Sequence, residues 1–242
     1  MKFFNKAIAG VLAAAVMISS VSYLPDEFIE NDTGLITGTV EAAGYEGIGY
    51  LQILSTADIH GQSIAYDYTT ASGGKAGSLA QIVKIVRSLK KSIKNGATLL
   101  VDSGDDTYGY GAETLMDGAT SGVEYLFEEF ADAKYDAITL GNHDFDYGLD
   151  YIQQQLNQSG MNSKVVLSNV YNAKTKKPLW SQSKIIQKTL TTTGGVKETV
   201  KIGVVGAVVP SLTTYFDWQD TISTGVIVET VRQQADALKG AG

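Results

Sequence analysis

Three short apolar runs, each ending in a polar cluster and separated by segments of helical period, constrain this chain more than any other feature. Leu51 to Thr56 (LQILST), Thr98 to Asp102 (TLLVD) and Asp136 to Leu140 (DAITL) have the length and composition of buried strands. Between the first two, Gly77 to Asn95 places Leu79, Ile82, Val83, Val86, Leu89 and Ile93 on one helical face, and Asn95-Gly96 ends it. Val123 to Ala133 predicts a second helix, Leu149 to Gln158 a third, and Lys164 to Ser168 a further strand. Strands alternating with helices predict an α/β sheet covered by helices. After Trp180 the pattern changes. Lys184 to Leu190, a Thr-Thr-Gly-Gly turn and Val196 to Gly206 read as an antiparallel hairpin. Val226 to Lys239 then reads as a helix with Val228, Val231, Ala235 and Leu238 on one face.

The polar clusters share one location, directly after a predicted strand, and in α/β sheets ligands bind outside the carboxyl ends of strands. Asp58 and His60 are two residues apart, so in an extended turn both can face one cation. Asp105 adds a carboxylate able to bridge two cations, and Asn142 adds an amide oxygen. Such oxygen and nitrogen donors, without thiolate, suit Zn, Mn, Fe, Mg or Ca. Each cluster alone has an ordinary explanation: an Asp after a strand caps turns, Gly-Asp is common turn chemistry, and His143 beside Asp144 and Asp146 fits a surface pair. Their ordered recurrence at three strand ends selects the metal site.

Composition excludes several alternatives. The chain contains no cysteine, which removes disulfide scaffolds, thiolate-ligated metals and a cysteine nucleophile. A net charge of −7 without a basic stripe argues against binding a nucleic-acid polymer. Gly73 to Ser78 is glycine-rich but lacks the P-loop order, so it reads as the start of a helix, and no Gly-x-Ser-x-Gly elbow occurs. Trp180, Tyr215, Phe216 and Trp218 read as packing residues rather than a base-stacking platform.

The segments Ser55 to Gly61, Val101 to Asp105 and Gly141 to Gly148 (GNHDFDYG) together resemble the calcineurin-like metallophosphoesterases. The Phe-Asp-Tyr-Gly extension is similar to the secreted 5′-nucleotidase and 2′,3′-cyclic-nucleotide phosphodiesterase branch. Ser168 to Val170 and Lys201 to Gly206 also sit where that family has similar strands, so the resemblance spans roughly residues 50–240. It implies an αββα sandwich of mixed sheets, here C-terminally incomplete, acting on nucleotides or other phosphate esters with two divalent metal ions. It also implies that Asp58 and His60 bind the first metal, Asp105 bridges both and Asn142 binds the second. His143 would be the catalytic histidine, oriented by Asp146. The family needs about three later histidines, whereas His60 and His143 are the two present here. The expectation is therefore an N-terminal piece of a longer enzyme, without the separate nucleotide-binding domain. The alternatives are an inactive or weakly metal-binding remnant, and a related hydrolase of another phosphorylated or sulfated substrate.

Lys2 and Lys6 precede an apolar run, Ala7 to Ile18, too short to span a bilayer comfortably, with small residues at Ser20 and Ser22. Residues 1–22 therefore read as a secretory signal peptide, residues 23–48 as a flexible leader and residues 49–242 as the catalytic domain. Export to the extracellular space, cell surface or periplasm of a bacterium follows, with no stable membrane span in the mature chain. The sequence leaves oligomeric state open.

Overall fold

The computed structural model describes residues 15–18, 36–40, 48–67, 70–74, 77–109, 124–215 and 220–241. In chain order the strands are β1 (Ala15–Ile18), β2 (Ile36–Val40), β3 (Gly49–Thr56), β4 (Tyr66–Asp67), β5 (Ser72–Gly73), β6 (Gly96–Asp102), β7 (Ala137–Ile138), β8 (Val170–Asn172), β9 (Lys184–Thr191), β10 (Lys197–Ala207) and β11 (Ile222–Thr224). The helices are α1 (Leu79–Ser92), α2 (Glu124–Ala133), α3 (Leu149–Gln158), the single turn α4 (Leu212–Tyr215) and α5 (Ile227–Gly240).

The first sheet has the order β2-β3-β6-β7, with β3, β6 and β7 parallel and β2 antiparallel at the edge. The second has the order β1-β10-β9, with β9 and β10 forming the expected hairpin. Strand alternation divides the core between them. Leu51, Leu99, Val101 and Ala137 face the second sheet and pack with Ile186, Leu190, Ile202 and Val204. Leu54, Leu100 and Ile138 point the other way and pack with Val83 and Val86 of α1, Phe127 and Phe130 of α2, and Ile152 and Leu156 of α3. On the outer face of the second sheet, α5 lays Leu238 over Gly203. Helix, sheet, sheet, helix: this is an αββα sandwich of mixed sheets.

Local chemistry explains why α1 begins where it does. Ser78 caps the helix by accepting the Gln81 N–H, while Gln81 Oε1 accepts the Ser78 N–H. At its far end Lys90 donates to the carbonyl of Ala133 at 3.0 Å, tying α1 to the last turn of α2.

Two stretches differ from the sequence reading. Of Lys164 to Ser168, Lys164 closes the 3₁₀ turn Asn162–Lys164, Val165 and Val166 make isolated parallel bridges to Ile138 and Ser181, and Ser168 lies in a turn. Val166 N–H reaches Ile138, Leu167 N–H reaches Ser181 and Ser168 N–H reaches Gly206. On α5, Leu238 is buried and Val231 and Ala235 are half-buried as expected, but Val228 is exposed and Thr230 is buried in its place. Within the segments read as signal peptide and leader, Ala15–Ile18 runs parallel to β10 and Ile36–Val40 pairs with β3. Both supply N–H and C=O groups to what would otherwise be a sheet edge. The remaining residues of those two segments, except Ile48, lie outside the described residues, as do Val123, Lys75, Phe216 and Trp218. Among the described residues, no helix is long and apolar enough to cross a membrane.

Candidate active site at the carboxyl ends of the parallel strands

The parallel register of β3, β6 and β7 brings the three polar loops to the same end of the first sheet. Main-chain bonds then lace them together. The Asp58 N–H donates to Gly104 O at 2.9 Å, His60 N–H to Asp105 O at 3.1 Å and Gly61 N–H to Asp106 O at 2.6 Å. Asp58, His60 and Asp105 all have positive φ, at 56°, 48° and 61°. Three ordinary residues held in the left-handed region within one site mark a backbone shaped by its surroundings rather than by local preference.

Asp144 is the hub of this arrangement. Its buried carboxylate accepts four main-chain N–H groups, from Gly141 at 2.8 Å, Asp105 at 3.0 Å, Asp106 at 2.9 Å and Thr107 at 3.0 Å. Burial and the charge of Asp105 push its carboxyl up to about 6, against the pull of those donors. Gly141 is required where the two loops cross, because a Cβ there would lie 2.1 Å from Asp105 Oδ1. A second buried carboxyl, Asp102, accepts the Gly104 N–H at 2.7 Å and the Thr56 hydroxyl. Desolvation raises it to about 7, and Asp106 beside it is raised well above the ordinary value by burial and by the Asp102 charge.

The sequence-derived residues occupy this frame. His60 Nδ1 lies 2.6 Å from the Tyr108 carbonyl, which can only accept, so Nδ1 carries a proton in this contact. The Nε2 of His60 faces Asp58 Oδ1 at 3.7 Å. The Asp58 carboxyl is raised by burial and then by Asp105, and lowered by His60 and His143. His143 Nδ1 lies 2.8 Å from Asp146 Oδ2. Burial pulls the His143 ring down, but its bond to Asp146 and the charges of Asp146, Asp105 and Asp144 outweigh that and leave it raised. The His60 and His143 rings stand edge to face with centroids 5.4 Å apart. Asn142 opens the 3₁₀ turn His143–Phe145, its carbonyl taking the Phe145 N–H.

Carboxylate, imidazole and amide donors around mutually repelling acids suit a hard or borderline divalent cation in kind. In number they are fewer. Among the described residues, no three His, Cys, Asp or Glu side chains are arranged to hold one metal ion. One oxygen of Asp105 is already turned to the His143 N–H at 2.9 Å.

Residues 51–227 match the family described as Calcineurin-like phosphoesterase. The chain belongs to that family. Among its relatives, a 2′,3′-cyclic-nucleotide 2′-phosphodiesterase/3′-nucleotidase of Salmonella typhimurium is 28% identical over 86% of this chain and 32% of its own length. A 5′-nucleotidase of Vibrio parahaemolyticus is 29% identical over 64% of this chain and 24% of its own. The crystal structure of the calcineurin-like phosphoesterase YfkN from Bacillus subtilis superimposes with a TM-score of 0.66 at 30% identity, covering 78% of this chain and 58% of that one. This calcineurin-like phosphoesterase chain thus spans about a third or less of the length of the two nucleotidases.

Residues not selected from the sequence do much of the positioning. Asp144, Asp102, Thr107 and Tyr108 lie inside or beside the motifs, but only the fold shows what they bind. Trp180 is buried against Phe145 and donates to Asn162 Oδ1, a packing role as expected.

Proposed function

We propose that this chain carries the catalytic loops of a divalent-metal-dependent hydrolase of phosphate esters, with nucleotides as the substrate class and an exported setting. The observation that carries the reading is the His143–Asp146 pair, 2.8 Å apart, beside Asp58, His60 and Asp105. Asp58, His60, Asp105 and Asn142 would hold the metal. Bound there, divalent cations supply neutralisation of the phosphoryl charge and a lowered pKa for attacking water.

The chain's own residues do the rest. Asp146 fixes the proton on His143 Nδ1 and supports a cationic ring, which leaves the Nε2–H free to serve the leaving-group oxygen as general acid. A His143 side chain about 40% exposed can meet substrate. The Asp144 hub keeps Asp105 and the His143 main chain in register while negative charge accumulates in the site. Nucleotide specificity rests on the names of the relatives, which the chain covers only in part.

A second reading is favoured by the sparse donor set: a weakly metal-binding domain of the same fold without turnover. Assay of the chain with AMP, a 2′,3′-cyclic nucleotide and p-nitrophenyl phosphate in the presence of Mn²⁺ or Zn²⁺ separates the two. Metal-dependent hydrolysis supports the first reading, and metal binding without hydrolysis supports the second. Residues 1–22 as a signal peptide are tested by N-terminal sequencing of the protein secreted from a bacterial host, which should begin after Ser22.

A further inference from the structure

Tyr108 meets both histidines of the site by two different parts of itself. Its carbonyl oxygen accepts a hydrogen bond from His60 Nδ1 at 2.6 Å. Its ring lies against the His143 ring, centroids 5.6 Å apart and planes 11° from parallel, the offset-stacked geometry aromatic pairs prefer. On its other flank the Tyr147 ring packs at 5.8 Å, and Tyr147 in turn meets Tyr151 at 5.4 Å.

Neighbouring residues hold Tyr108 in that place from both sides. Just before it, Thr107 gives its N–H to Asp144 and its hydroxyl to the carbonyl of His143 at 3.2 Å. Just after it, Gly109 has φ 129°, and a Cβ there would come within 3.0 Å of His60 Cβ and 3.3 Å of His60 Nδ1. Glycine therefore allows the main chain to press close enough for the carbonyl to reach the imidazole. Neither histidine is a sequence neighbour of Tyr108, so this contact couples the loop after β3 to the loop after β7.

We infer that Tyr108 is a positioning residue for both imidazoles: its carbonyl sets the His60 tautomer with the proton on Nδ1 and the lone pair on Nε2, and its ring sets the plane in which His143 presents Nε2–H. The inference rests on the proposed role of His143 as general acid. Side-chain substitutions should therefore act on His143 and leave His60 unchanged, because the His60 contact is made by main chain. A substitution at Gly109 should do the reverse.

The test uses the chain with Tyr108→Phe, Tyr108→Leu and Gly109→Ala. Imidazole ¹H–¹⁵N correlation spectra of the metal-free protein read tautomer and ring environment, and p-nitrophenyl phosphate hydrolysis with Mn²⁺ reads kcat and KM. Tyr108→Leu is expected to move the His143 ring signals, keep the His60 Nδ1–H tautomer and lower kcat about tenfold with KM nearly unchanged. Tyr108→Phe should restore all three. Gly109→Ala should convert His60 to a mixture of tautomers while the His143 signals stay in place. Unchanged His143 signals and kcat in Tyr108→Leu, or an unchanged His60 tautomer in Gly109→Ala, would overturn the inference. If the parent chain shows no hydrolysis, the general-acid reading fails, and the two sets of spectra still decide whether Tyr108 orients the rings.

Discussion

Asp105 and Asp144 clasp the two central loops of the site in both directions. The Asp144 carboxylate takes the Asp105 N–H at 3.0 Å, and Asp105 Oδ1 takes the N–H of His143, the residue before Asp144, at 2.9 Å. The register between a metal-ligand candidate and the candidate acid is therefore set by buried hydrogen bonds rather than by side-chain packing.

Removal of that hub should cost stability. Asp144→Ala leaves four buried N–H groups without an acceptor, and each such orphan costs about 1–3 kcal/mol before relaxation. A loss on the order of 3 kcal/mol or more in urea unfolding is expected. A loss under about 1 kcal/mol would mean the loops are held by other contacts.

The His143–Asp146 pair predicts a pH effect with a defined sign. Asp146 raises the His143 pKa, and a general acid works while protonated, so the alkaline limb of the rate profile lies above the pKa of an ordinary histidine. Asp146→Asn should move that limb to lower pH, and His143→Ala should lower kcat by about 10²-fold or more with metal content unchanged. An unmoved limb in Asp146→Asn, or loss of metal in His143→Ala, would contradict the assignment.

The same residues explain what the sequence could disclose. Asp58, His60, Asp105, Asn142, His143 and Asp146 stand out as candidates in the sequence because they cluster after strand signals and match the motifs of the family the chain resembles. Asp144 sits within the same motif, but that its side chain turns inward to bind a loop 37–39 residues away is a property of the crossing at Gly141. The Tyr108 contacts are likewise made only in three dimensions. The β8–β11 pair, three residues on each strand and fifty apart in sequence, carries too little periodicity to read. Lys164 to Ser168 has strand composition, but it starts in a 3₁₀ turn and only Val165 and Val166 bridge, each to a different partner.

Buried acids beneath the site should reverse the usual acid lability. Asp102 titrates at about 7 when folded and near 3.8 when unfolded, so its contribution to stability is fully present below about pH 4 and is lost as pH rises through 7. The metal-free chain should therefore lose stability as pH rises from about 4 to 7, and Asp102→Asn should flatten that slope in thermal melts at fixed ionic strength. A parent slope unaffected by the substitution would place the titrating groups elsewhere.

The most direct test of the account is hydrolysis of p-nitrophenyl phosphate by the chain as Mn²⁺ is titrated in after chelation, compared among the parent, Asp105→Asn and His143→Ala. The account predicts no turnover without metal, a saturable rise in the parent, a weaker metal dependence in Asp105→Asn and retained metal binding with little turnover in His143→Ala. Turnover that is independent of added metal, or equal in all three proteins, would contradict it.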